Sequence, residues 1–192
     1  MKQMIGMCSL CICLAAGVRA RSTTLPDSCG NDKTQFDVKT EKNAPAPALP
    51  GEGKAQIIFF EQVDATAEGG CIGCNYFASR IGIDGSWVGA VKGGSYSAVE
   101  VAPGEHHLCT YWKSISATRG KNIAVAPFNA EAGKVYYFQV TIRDIEGGVS
   151  GPSHRPVTSA PHWVLDLKPV NEDEGRYGVK IAALAISTQK GK

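Results

Sequence analysis

The chain has 192 residues, 43% of them hydrophobic, with 20 basic and 18 acidic side chains. That length suits one domain with appendages, and that apolar content excludes wholesale disorder. Twenty-two glycines and ten prolines point to many short strands joined by turns and away from long helices.

Residues 1–20 read as a secretory signal peptide. Lys2 supplies a positive start, Met4 to Val18 is an uncharged and mostly apolar run, and Val18-Arg19-Ala20 has cleavage spacing. The run falls short of the roughly 20 residues of a membrane helix, so no span is expected after signal removal. Cys8, Cys11 and Cys13 follow Met7, Leu10 and Ile12, whereas a lipid-anchor site needs a small residue before the cysteine. The expectation is therefore a periplasmic or secreted protein. Cleavage removes Lys2 and Arg19, leaving 18 basic against 18 acidic side chains. A neutral mature chain without a basic cluster disfavours a nucleic-acid partner.

Residues 21–53 are polar and end in the Ala-Pro alternation Asn43 to Pro50, the composition of an extended linker. Cys29 and the stretch Gln35 to Val38 offer ways of tying this arm back. The domain proper is expected over 54–186, with 187–192 as a loose tail.

Within the domain, Ala55 to Glu61 (AQIIFFE) has the β-branched and aromatic run of a strand buried on both faces. Arg80 to Ile83 and Trp87 to Val91 flank Asp84-Gly85, a hairpin turn pair. Gly93-Gly94 leads into Tyr96 to Val101, and Pro103-Gly104 leads into Glu105 to Trp112. In this last strand Leu108 and Trp112 share one face, with His107, Cys109 and Tyr111 on the other. Ile123 to Val125 is a further candidate strand, Lys134 to Ile142 is the strongest, and Trp163 to Val170 follows the Gly/Pro/Ser-rich stretch Gly147 to Pro161. Asn171 and Glu174 have capping-box spacing, while Gly175 and Gly178 limit the helix that follows to a short one. These elements predict an all-β fold. It is an antiparallel β-sandwich of about seven strands, immunoglobulin-like or transthyretin-like, with a short C-terminal helix.

Three motifs in order, Ile83-Asp-Gly-Ser-Trp-Val-Gly89, Val99-Glu-Val-Ala-Pro-Gly-Glu-His-His-Leu108 and Ala132-Gly-Lys-Val-Tyr-Tyr-Phe138, give the span Lys54 to Asp144 a resemblance. It resembles a bacterial envelope family of β-sandwich domains of unknown function. The resemblance implies a sandwich and an envelope location and carries over no catalytic residues. Members of that family are often lipoproteins, and this sequence departs from them in lacking a lipid-anchor site.

Four cysteines remain after signal removal: Cys29, Cys71, Cys74 and Cys109. An even count in an exported protein predicts two disulfides, with three possible connectivities. The favoured pairing joins Cys109 to Cys71 or Cys74 and leaves the other to Cys29. Two alternatives use the same residues. Cys71, Cys74, Cys109 and His107 match a Cys₃His zinc set, and Cys71-Ile-Gly-Cys74 has the spacing of a thiol–disulfide exchange pair, though without the helix N-terminus such pairs use. Trp87, Tyr96, Tyr111 and Trp112 are candidates for an aromatic ligand surface or for the core. Asp64, Glu68 and Asp84 read as solvated turn carboxylates, His154 and His162 as loop histidines. No serine-nucleophile elbow or phosphate loop is present. The predicted function is a non-enzymatic module without cofactor that binds an envelope protein or surface polymer, with the 71–74 and 147–161 loops as its contact surface. The alternative is a metal-binding or thiol-redox envelope protein.

Overall fold

The computed structural model describes residues 25–62, 78–112, 120–145 and 162–191. In chain order these form β1 (Phe36–Glu41), β2 (Ala55–Glu61), β3 (Ser79–Ile83), β4 (Ser86–Val91), β5 (Ser95–Val101), β6 (Gly104–Trp112), β7 (Gly120–Lys121), β8 (Ile123–Ala130), β9 (Val135–Ile145), β10 (His162–Val170), α1 (Glu172–Ile181) and β11 (Ala183–Gln189). Seven strands make one sheet, ordered β1-β11-β5-β2-β9-β10-β7, and four make the other, ordered β4-β3-β6-β8. Most pairs are antiparallel, while β2–β9, β5–β11 and β7–β10 are parallel. The protein is the expected all-β sandwich, with eleven strands among the described residues instead of about seven.

The added strands correct the expected boundaries. Phe36–Glu41, placed in a linker over 21–53, pairs in register with Glu41↔Leu184 through Phe36↔Gln189. The partner β11 in turn absorbs Ser187 to Gln189 of the expected loose tail. Neither strand carries the long apolar run that reveals a buried strand. β1 is the edge of the sheet, and its Asp37, Lys39 and Glu41 guard that edge against further pairing.

The core lies between the sheets. Alternate residues of β2 split between two apolar layers: Ala55, Ile57 and Phe59 face the four-stranded sheet, packing with Leu108, Trp112, Phe138 and Leu165. Ile58 and Phe60 face the other way, packing with Tyr96, Tyr137 and Val179. This is the two-faced burial that the run AQIIFFE predicts. The Asp84-Gly85 turn also forms as expected, with φ of 50° and 81°, the positive pair that suits the strand twist of a two-residue hairpin.

The inward row of β2 ends in a carboxyl group. Glu61 is only 3% exposed, and its Oε2 has no hydrogen-bond partner among the described residues. Burial pushes its pKa from the ordinary 4.5 up to about 8, with the neighbouring Ser79 hydroxyl pulling the other way. The group is therefore a neutral acid at pH 7.

Helix α1 begins at the predicted cap: Asn171 accepts from the Glu174 amide at 2.9 Å. Its glycines do more than limit its length. A Cβ at Gly175 would lie 2.1 Å from the Tyr137 ring, and one at Gly178 2.5 Å from the Phe60 ring. The helix thus rides on the outer face of the seven-stranded sheet along a side-chain-free stripe. Gly178→Ala would strengthen an isolated helix by about 1 kcal/mol. Here it is expected to destabilise the protein by roughly 1–3 kcal/mol through overpacking. Urea denaturation reads the sign directly, and a neutral or stabilised variant would refute the close packing.

Candidate functional site

Of the residues singled out by sequence, Trp112 lies in the core, Cys29, Trp87, Cys109 and Tyr111 gather on the outer face of the four-stranded sheet, and Asp64, Glu68, Cys71, Cys74 and His154 lie outside the described residues. On the four-stranded sheet, the arm from Leu25 to Thr34 lies across β3, β4 and β6. Leu25 and Cys29 pack with Cys109, Trp87, Tyr111 and Ile123. Cys29 and Cys109 form a disulfide with Cα atoms 5.3 Å apart. The pairing corrects the expectation that Cys109 would take Cys71 or Cys74, both of which lie outside the described residues. The bond spans 80 residues, a pairing set by where the arm lies on the sheet.

Arg80 organises the rest of this face. Its guanidinium lies 4.6 Å from the Trp87 ring centroid and 4.3 Å from that of Tyr111. It donates to the backbone carbonyls of Asp32, at 3.0 Å, and of Thr34, while Trp87 Nε1 donates to the Asn31 carbonyl at 2.7 Å. Two of the four aromatics considered for a ligand surface thus clamp a structural arginine. Trp112 lies in the core. With Cys109 oxidised, the Cys₃His zinc set loses a thiolate, and the His107 imidazole is solvent-exposed, 3.8 Å from Glu105. Among the described residues, no group of three or more His, Cys, Asp or Glu is arranged to hold a metal.

Asp84 does more than turn the chain. Its Oδ2 bonds His106 Nδ1 at 2.6 Å and its Oδ1 accepts from the His107 amide at 2.8 Å, while His106 Nε2 donates to the Ala102 carbonyl at 2.8 Å. Burial alone would raise the carboxyl. The bonds from His106 and His107 and the charges of the two imidazoles together hold it below its ordinary 3.8. For His106 burial opposes the charged form, but the Asp84 bond, the Ala102 carbonyl and the Asp84 charge raise its pKa above 6.5. This clamp joins the β3–β4 and β5–β6 turns. Its stabilisation is lost as pH rises through the raised His106 pKa, and again as pH falls through the lowered Asp84 pKa. Asp84→Asn is expected to cost about 1 kcal/mol near pH 6, read as a shift in urea midpoint that shrinks by pH 9. A shift of the same size at both pH values would argue against the ion pair.

The other outer face carries a groove of about 950 Å³. One wall is the Ala-Pro segment from Lys42 to Leu49, the other the C-terminal turns of α1, and Ile58, Tyr96, Val135 and Tyr137 form the floor. The segment is held from both ends: the Tyr96 hydroxyl donates to the Pro45 carbonyl at 3.4 Å and Glu100 accepts from the Gly51 amide at 2.8 Å. Burial, aided by the Glu41 charge, raises the Tyr96 pKa, so this hydroxyl stays a donor. Lys42, Lys134, Arg176 and Lys180 stand among the lining residues, with Glu172 the single acid. Arg176 is engaged with Glu172, one turn away on the exposed face of α1.

The sequence marks several of these residues as linker, strand or motif, but only Tyr96 as a candidate for a ligand surface. They come from five separated segments, and only the sheet order brings β5, β2 and β9 side by side under the helix. The nearest signal is the Gly175/Gly178 pair, which reads as helix weakness until the sheet beneath it is known. Set against models of protein families, curated proteins and solved structures, the chain matches none of them.

Proposed function

We propose that the protein is an exported, non-enzymatic β-sandwich module of the bacterial envelope that binds a partner protein or surface polymer. The observation that carries this reading is the Cys29–Cys109 disulfide. Such a bond persists in oxidising compartments, and it agrees with the secretory character of residues 1–20. The sandwich supplies a rigid frame for contact surfaces. The contact surface is expected in the 71–74 and 147–161 stretches, which lie outside the described residues.

Two measurements on producing cells test the reading. Peptide mapping of the fractionated protein should find a mature N-terminus near Arg21, outside the cytoplasm, with Cys29 and Cys109 joined. Chemical cross-linking in intact cells should yield a discrete adduct with another envelope component. Cytoplasmic protein retaining residues 1–20 with reduced thiols would overturn the export reading, and a chain that stays monomeric on cross-linking would overturn the binding one.

A further inference from the structure

We propose that the groove between the Ala-Pro segment and α1 is a small-molecule site for one single-chain anionic amphiphile, an acidic head on an apolar chain. Charge is the first reason. The lining residues carry four cations and one anion, Lys42, Lys134, Arg176 and Lys180 against Glu172, a net of +3. Residues 21–192 carry 18 basic and 18 acidic side chains, so the rest of the mature chain is net acidic while the groove is net basic. Lys42, Lys134 and Lys180 form no ion pair among the described residues, whereas Arg176 is held by Glu172. Three unneutralised ammonium groups around one concavity focus positive potential on it.

The second reason is the distribution of apolar surface. The floor residues Ile58, Tyr96 and Tyr137 belong to an apolar layer shared with Val135 and Val179. The walls add Leu49, 83% exposed, and Ile181, 58% exposed. Large apolar side chains left in water on both walls of a groove lose that exposure when a chain lies between them. The exposed Lys42, Lys134 and Lys180 and the exposed Leu49 and Ile181 border one groove over a buried apolar layer, so a ligand with an acidic head and an apolar chain matches both.

Size selects a small molecule over a macromolecule. A volume of about 950 Å³ falls in the usual range of small-molecule sites, roughly 300–1,000 Å³. A partner protein would need on the order of 800 Å² of contact on this chain, and the groove is walled on two sides instead of open. The inference goes beyond partner binding and does not depend on it.

The test uses the mature chain with decanoate as probe, and decanol, acetate and vesicles of anionic phospholipid as comparisons, followed by calorimetric titration. Decanoate should bind one per chain and at least about tenfold tighter than decanol, with acetate not binding. Lys134→Glu/Lys180→Glu should weaken decanoate by about tenfold or more and leave decanol unchanged. Both lysines are exposed, so an unchanged melting midpoint verifies that the variant folds, and Lys42→Glu provides an independent check from the opposite wall. Equal affinity for decanoate and decanol, or decanoate binding that survives both charge reversals, would overturn the proposal. Binding to anionic vesicles without binding of monomeric decanoate would also overturn it, by making the lysines a membrane-facing patch. None of these outcomes alters the cross-linking result, so the two proposals fail separately.

Discussion

Glu61→Gln is expected to stabilise the protein, by an amount that grows with pH. In the unfolded chain the carboxyl ionises near 4.5, and in the folded one near 8. Between those values the folded state holds one more proton than the unfolded state, so wild-type stability falls as pH rises, at up to about 1.4 kcal/mol per pH unit. The fall ends near pH 8, where the folded carboxyl also ionises. Its limit is roughly 5 kcal/mol, from the interval between 4.5 and about 8. Glutamine has a similar shape without the ionisation. The stability difference between variant and wild type should therefore be small at pH 4.5, a few kcal/mol at pH 7, and flat above pH 8. Taking the difference between the two proteins cancels the titration of all other groups. Urea midpoints that run parallel from pH 4.5 to 8 would mean that Glu61 is not buried as described.

Removing the Cys29–Cys109 bond should cost a comparable amount. The residues lie 80 apart in sequence, and the chain-entropy model assigns a loop of that length about 4.5 kcal/mol of stabilisation at 25 °C. The double variant Cys29→Ala/Cys109→Ala avoids a stray thiol and is expected to lose about 3–5 kcal/mol. The loss should also be local in character. Without the staple, the arm from Leu25 to Thr34 retains the carbonyl contacts to Arg80 and Trp87, whereas β1 keeps its ladder to β11. Amide exchange should accelerate first around residues 25–35 and only later in Phe36–Glu41. Unchanged stability, or equal acceleration in both stretches, would contradict the role of the bond as an arm clasp.

Much of the fold was legible in the sequence because burial and turn geometry leave local marks. The run from Ala55 to Glu61 announces a strand buried twice over, Asp84-Gly85 announces a tight hairpin, and Asn171 with Glu174 announces a helix start. The alternation in β6 separated Leu108 and Trp112 from Cys109 and Tyr111, and those residues lie in the two different clusters. β1 and β11 left no such mark. An edge strand of alternating charges and the last residues of a half-exposed strand such as ALAISTQ are held by ladder partners far away in sequence, and composition alone makes them look like a linker and a tail.

The candidate site was less legible for the same reason. Cys29 and Cys109 are recognisable as disulfide cysteines, but their pairing depends on which chain segments the sandwich lays together. The groove lysines Lys42, Lys134 and Lys180 come from three separate segments, and only the tertiary fold places them around one concavity. By itself the sequence determined the periodicity, the turns and the helix cap, since these follow from φ preferences and from which faces are apolar within a few residues. The tertiary structure alone decided the disulfide partner, the closely packed glycine stripe of α1 and the cationic groove. Each of these is a juxtaposition of residues dozens of positions apart, made by long-range strand pairing that no local preference encodes.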